Sequence, residues 1–249
     1  MIEKEEVIKQ PEIKGDLIVT LNQMGYMFPR PEKFIQHFID FSAKQPDPVL
    51  DIGAAYGVAT IPALEKGAHV VATDMDERHL AILKSKVPPP LLSHLELKIG
   101  KMPSDLDFPE NHFGAILASR ILHFVDPNLI KECLFLIHKW LKPAGKFFYI
   151  GGTPYLGTYR NFLPQYEKNK QQGREWPGWI ENMKDYVAPE QTAYLPPFIN
   201  LIDEEILKKI MKEAGFKIEE MDYIPFGEAH SKDMRLDGRE HLGAIAVKV

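Results

Sequence analysis

Three short stretches of this chain put reactive side chains where a turning backbone would present them. The first is Val49-Leu50-Asp51-Ile52-Gly53-Ala54-Ala55-Tyr56-Gly57, an acid inside an apolar run followed by two glycines. Glycine at 53 lets the backbone turn without a Cβ and lets a ligand come close. Glycine at 57 permits close packing where a helix begins. A carboxylate at 51 suits a cationic ligand and would repel a pyrophosphate, whose sites use a helix N-terminus. The second is Asp74, directly after the apolar run His69 to Thr73. An acid there can accept hydrogen bonds from both hydroxyls of a ribose. Taken alone it reads more plainly as a solvated strand-end acid or a helix cap. The third runs from Leu117 to Pro127 and holds Ser119, Arg120 and His123 just past an apolar run. An imidazole titrates near neutrality, so His123 could serve as a base for an acceptor hydroxyl. It could equally pack or hydrogen-bond below a site.

These residues need a frame that brings them to one edge. From Val49 onward, strand-like and helix-like segments alternate, the mark of a parallel sheet covered by helices. The strands are expected at Val49 to Ile52, His69 to Thr73, Leu95 to Ile99, Phe113 to Ala118 and Lys146 to Ile150. Between them lie helices at Gly57 to Lys66, Asp76 to Lys86 and Leu129 to Leu141, where Cys133, Ile137, Trp140 and Leu141 fall at helical spacing. Pro62 implies that the first of these starts late. Asp203 is a plausible N-cap for a helix with Ile206, Leu207, Ile210, Met211 and Ala214 on its apolar face. Two last strands, Lys217 to Ile224 and Leu242 to Val249, have no helical pattern between them. That makes the closing strand antiparallel, since antiparallel neighbours need no crossover.

The first stretch resembles the leading motif of the class I (Rossmann-like) S-adenosylmethionine-dependent methyltransferases, and Leu117 to Pro127 is similar to the family's strand-end motif that faces the methyl donor. Asp105 to Gly114 and the Lys142-Pro143-Ala144-Gly145-Lys146 turn follow the family pattern too. The resemblance spans about Val49 to Ile150 and resumes from Asn200 to Val249. It implies an α/β three-layer sandwich with a mostly parallel seven-stranded sheet ending in an antiparallel strand, an N-terminal helical cap and a lid insertion. It also implies S-adenosylmethionine as cofactor, held by Asp51, Gly53, Ala54, Ala55, Tyr56, Gly57, Asp74, Met75, Gly100, Lys101, Met102, Ser119 and Arg120. Ala55 stands where the family's middle glycine is usual. Lys101 replaces the usual acid near the adenine, so adenine recognition must lean on the backbone near Lys101 and Met102. The Asp/Asn-Pro-Pro-Tyr/Phe run of many methyltransferases acting on base or glutamine amino groups is missing.

One domain is expected: a cap over 1–45, a core over 46–152, a lid over 153–200 and a C-terminal completion of the sheet over 201–249. In the cap, Tyr26 could close over the cofactor and Arg30 could hold an acceptor carboxylate by paired hydrogen bonds. Phe28 reads more simply as a staple for the helix Glu32 to Phe41. Tyr155, Tyr159, Trp176, Trp179, Tyr186 and Tyr194 in the lid suit a partly apolar acceptor, or else form a minicore of the lid itself.

The net charge of −5 over 249 residues gives no basic footprint for nucleic acid. No run is long enough to span a bilayer, and Met1 to Lys14 is charged, without a signal-type apolar run. With one cysteine, no internal disulfide is possible. The expectation is a cytoplasmic protein, save for export by a specialised system. No metal spacing is present among the nine histidines. The expected function is methyl transfer to an oxygen or nitrogen of a small-molecule acceptor. A non-catalytic S-adenosylmethionine-binding protein is the alternative. A nicotinamide-dependent oxidoreductase is the weaker rival, because the G-x-G-x-x-G fingerprint is missing at the first turn.

Overall fold

The computed structural model describes residues 8–14 and 17–249; residues 1–7 of the charged N-terminal stretch lie outside the described residues. A seven-stranded sheet organises the chain. Its strands are β1 (Val49–Ile52), β2 (Val70–Asp74), β3 (Leu95–Ile99), β4 (Phe113–Ser119), β5 (Leu141–Gly152), β6 (Phe216–Ile224) and β7 (His241–Lys248). Their spatial order is β6-β7-β5-β4-β1-β2-β3. The first five are parallel, and β7 runs antiparallel between β5 and β6. The last strand in sequence is therefore inserted into the sheet, and β6 forms the edge. Every residue of β1 is buried, as a central parallel strand covered on both faces requires.

Helices cover both faces. On one side α1 (Lys33–Ser42) and α2 (Thr60–Glu65) pack with Leu83 of α3 (Glu77–Lys86); Phe34, Phe38, Leu64 and Phe148 lie in that layer. Pro62 occupies the first turn of α2, which accounts for its late start. On the other side α4 (Pro127–Trp140) buries Ile130, Cys133, Leu134, Ile137 and Trp140. Asp126 caps it by accepting from the Asn128 N–H at 2.8 Å. Burial pushes the Cys133 thiol up to about 12, so it is no nucleophile.

The insertion after β5 contains α5 (Leu163–Gln171) and has a core of its own, built on Tyr155, Tyr159, Phe162, Tyr166 and Met183. It is tied to the main domain through Asp203, the cap of α6 (Glu204–Glu213). That carboxylate accepts from the Ile206 N–H, the Tyr166 hydroxyl and Lys170. The N-terminal segment holds a feature with no sequence period: a three-stranded antiparallel meander of Ile13–Lys14, Leu17–Val19 and Tyr26–Met27.

Candidate functional site

β1 and β4 are neighbours whose connections leave in opposite directions, the place where doubly wound sheets open a crevice. The chain leaves β1 through Gly53 at φ +71° and Ala55 at φ +46°. Ala54 N–H donates to the Thr73 carbonyl at 2.8 Å, and Ala55 N–H donates to Asp74 Oδ2 at 3.0 Å, lacing the ends of β1 and β2 together. A Cβ on Gly53 would lie 2.5 Å from Ile121 Cγ2, and one on Gly57 would lie 2.9 Å from Leu83 Cγ. Ala55 thus holds a left-handed conformation that costs a side chain roughly 1–2 kcal/mol.

The two acids are held differently. Asp51 is buried; its Oδ2 accepts from Thr60 Oγ1 at 2.6 Å, and the Thr60 backbone N–H also bonds the carboxylate. Burial pushes its carboxyl up to about 6, opposed by the Thr60 hydroxyl and reinforced by the charge of Asp74. Asp74 is also buried, but three donors grip it. Besides Ala55, Asp76 N–H donates to Oδ1 at 2.9 Å, and His79 Nδ1 lies 3.0 Å from the same oxygen. His79 Nε2 accepts from Leu21 N–H at 3.0 Å, so the ring proton sits on Nδ1 and is donated to Asp74. Tyr56 hydroxyl accepts from the same Leu21 N–H at 3.1 Å and donates to the Val19 carbonyl at 3.1 Å. The N-terminal strap is thereby tied down beside the first turn.

The crevice so formed is a cavity lined by Asp51, Gly53, Ala54, Ala55, Asp74 and Met75 on one side. Gly100, Lys101, Met102, Ser119 and Arg120 continue the wall, and Tyr26, Met24 and Phe28 cover it. A second cavity, of about 310 Å³, adjoins it beneath the insertion. Tyr26, Phe28, Arg120 and Phe124 line both. Arg120, at φ +59°, is the partition. Its guanidinium stacks 4.5 Å from the Phe28 ring centroid, donates to His241 Nδ1 at 3.2 Å and to Ser119 Oγ at 3.1 Å, and faces Glu32 at 3.4 Å.

Three comparisons bear on this architecture. A family described as a methyltransferase domain matches residues 49–145. That stretch, from the first strand to the turn inside the fifth, is similar to a methyltransferase domain. The chain is 30% identical over 131 residues to an uncharacterized methyltransferase of Synechocystis sp., a stretch that is 52% of this chain and 57% of that protein. The chain therefore spans a little over half the length of that relative. A S-adenosylmethionine-dependent methyltransferase structure from Methanosarcina mazei superposes with TM-score 0.64 at 18% identity, over 88% of this chain and 99% of that one. The 1,6-didemethyltoxoflavin-N1-methyltransferase of Burkholderia thailandensis, solved with 1,6-didemethyltoxoflavin and S-adenosylhomocysteine bound, gives TM-score 0.57 at 21% identity, over 88% of this chain and 79% of that one. At these identities the solved structures establish the fold alone.

Several site residues expected from sequence take other places in the structure. Tyr56 and Gly57 do not line the crevice; one ties down the strap and the other packs against Leu83. Arg30 is exposed and lines neither cavity, whereas Arg120 lines both. Both backbone groups of Lys101 pair with Asp105, so the main chain of Lys101 is committed elsewhere and Met102 supplies the apolar wall. Phe28 is no staple for α1; it packs against Phe226 and His241 and forms part of the partition. His123 lines the second cavity, but its Nδ1 accepts from Gly152 N–H at 3.1 Å. The remaining ring nitrogen carries the proton, and burial with the nearby Arg120 charge holds the group down at about 3. His123 is a donor, not a base. Of the six lid rings, Tyr159 reaches the second cavity, Tyr194 packs edge-on to Tyr26, and Tyr155 and Tyr186 belong to the minicore. Trp176 packs on the main core, and Trp179 lies against Phe198. His79 and Phe124 were not singled out from sequence. His79 sits one helical turn after the capping Asp76, a face that points back to β2.

Proposed function

We propose that the chain transfers a methyl group from S-adenosylmethionine to an oxygen or nitrogen of a small molecule seated in the second cavity. The observation that carries this reading is the contiguity of the two cavities across Tyr26, Phe28, Arg120 and Phe124. The crevice fits the donor. Asp51 lines the crevice with a carboxyl that burial penalises when ionised, so a cationic amino group gains by pairing with it. Asp74 is fixed by its three donors with acceptor capacity left for ribose hydroxyls. Met75 and Met102 supply apolar walls for a flat base. When bound, the donor supplies an electrophilic methyl carried on sulfonium. The chain's own part is to align the acceptor with that methyl and to exclude water, which can supply several kcal/mol of barrier lowering.

Calorimetric titration with S-adenosylmethionine, S-adenosylhomocysteine and NAD tests the donor assignment. Both sulfur nucleosides should bind and NAD should not. Asp74→Ala should weaken nucleoside binding about tenfold or more, through loss of charged hydrogen bonds. Selective binding of NAD, or an unchanged affinity in Asp74→Ala, would overturn the assignment.

A further inference from the structure

We infer that the second cavity takes an apolar small molecule whose methyl-accepting atom is an oxyanion, received already deprotonated at a buried end that donates hydrogen bonds. The inference rests on the methyl-transfer reading above and specifies its acceptor. It starts from two histidines. His123 Nδ1 accepts from the Gly152 amide, and His241 Nδ1 accepts from Arg120 Nε. Neither an amide nor a guanidinium can accept in return, so both imidazoles, when neutral, carry their proton on Nε2. Both rings line the cavity, and neither Nε2 has a protein partner among the described residues. His123, His241 and Arg120 thus line one cavity, and Arg120 also lines the donor crevice.

Among the described residues, no buried proton acceptor lines the cavity beside them. Burial and the Arg120 charge hold both imidazoles well below their ordinary value, so the rings stay neutral donors. The phenols of Tyr26 and Tyr159, also lining the cavity, are pushed upward by burial and stay protonated. Glu32 faces Arg120 from outside the lining, and His230 lies beyond His241, stacked on Phe226. The lining carboxylates are Glu190 and Asp233, both exposed. The other walls are apolar: Phe28, Phe124, Leu156, Leu195, Ile199 and Met234. A neutral aliphatic alcohol would arrive with a proton that no buried lining residue among those described can take. An acidic phenol, an enol or a carboxylic acid arrives as its anion. The oxygen lone pair then forms the bond to the methyl carbon, the carbon–sulfur pair returns to sulfur, and no proton has to leave. Preorganised donors at such an oxygen are strongest in a dry site.

The test uses the full chain saturated with S-adenosylhomocysteine and para-nitrophenol as probe, whose anion absorbs in the visible. The bound phenol should ionise with an apparent acidity at least about tenfold greater than in water, a fold-change that equals about 1.4 kcal/mol. His123→Asn and His241→Asn keep an acceptor at the Nδ1 position and delete the Nε2 donor; each should remove much of that gain. His123→Gln returns an amide donor and should restore it. Displacement of the probe by benzoate would assign the oxyanion to a carboxylate, and failure to displace would assign it to a phenol or enol. The wild-type protein decides the matter by itself, whether or not the variants fold. A bound phenol that ionises less readily than in water, or no binding to the nucleoside-saturated chain, overturns the inference while leaving donor binding intact. Failure to bind S-adenosylhomocysteine appears separately in calorimetry and overturns the reading beneath it.

Discussion

Replacing Asp51 by asparagine separates what this carboxyl costs the fold from what it gives the ligand. Asparagine keeps an oxygen for the Thr60 hydroxyl at 2.6 Å and removes the charge. A rise from the ordinary 3.8 to about 6 corresponds to about 3 kcal/mol. The sign is that of an acid raised on folding. Below about pH 4 the carboxyl is protonated in both states and the penalty nearly vanishes. Between about pH 4 and 6 the unfolded chain ionises first, so stability falls as pH rises. Above about pH 6 the full penalty stands. Asp51→Asn should therefore melt about 6–12 °C higher than the wild type at about pH 7.5 without ligand, using 2–4 °C per kcal/mol for a chain of this size. The gap should close to within about 2 °C near pH 4. The same variant should bind S-adenosylhomocysteine about tenfold or more weakly at neutral pH, because a charged hydrogen bond is lost. Calorimetric melts at several pH values and isothermal titration measure both. A variant less stable than wild type at neutral pH, or a gap that does not depend on pH, would refute the reasoning.

Tyr56→Phe removes the hydroxyl that links Val19 and Leu21 to the first turn, a loss of about 1 kcal/mol; hydrogen exchange should quicken over residues 17–27, and unchanged exchange there would remove Tyr56 as the tie. Ala55→Gly relieves a left-handed alanine at φ +46°, and the gain of roughly 1–2 kcal/mol is offset by about 0.4–1 kcal/mol of unfolded-chain entropy. The variant should be as stable as the wild type or slightly more so in urea melts, and destabilisation by more than about 1 kcal/mol would contradict the strain.

The central sheet was legible because each strand is a short apolar run closed by a glycine, proline or capping acid, and Val49 to Ile52 and Leu95 to Ile99 fall where the runs predict. The meander was not, since strands of two and three residues carry no period. With it went the partners of Tyr56 and His79, which bond to a segment far away in sequence. The crevice residues at the ends of β1, β2 and β4 were legible because one turn presents them. The second cavity gathers Thr158, Glu190, Ser231 and His241 from four separate segments. Only tertiary packing brings those together.

Arg120 shows why sequence leaves two roles open for His123, a base or a packed hydrogen-bonding group. Sequence places an imidazole past a strand end, where its intrinsic titration favours a proton-transfer role. Its tautomer and charge are set by neighbours that sequence does not place beside it. Gly152 sits on β5, and His241 opens β7, the strand inserted against β5. The left-handed backbone at Arg120 brings the guanidinium between Phe28, Glu32 and His241. A permanent cation so close penalises a second positive charge on either ring. The same strained residue walls the donor crevice. The domain thus gives up a proton acceptor in the second cavity and gains fixed donors. That exchange suits the oxyanion acceptor inferred above.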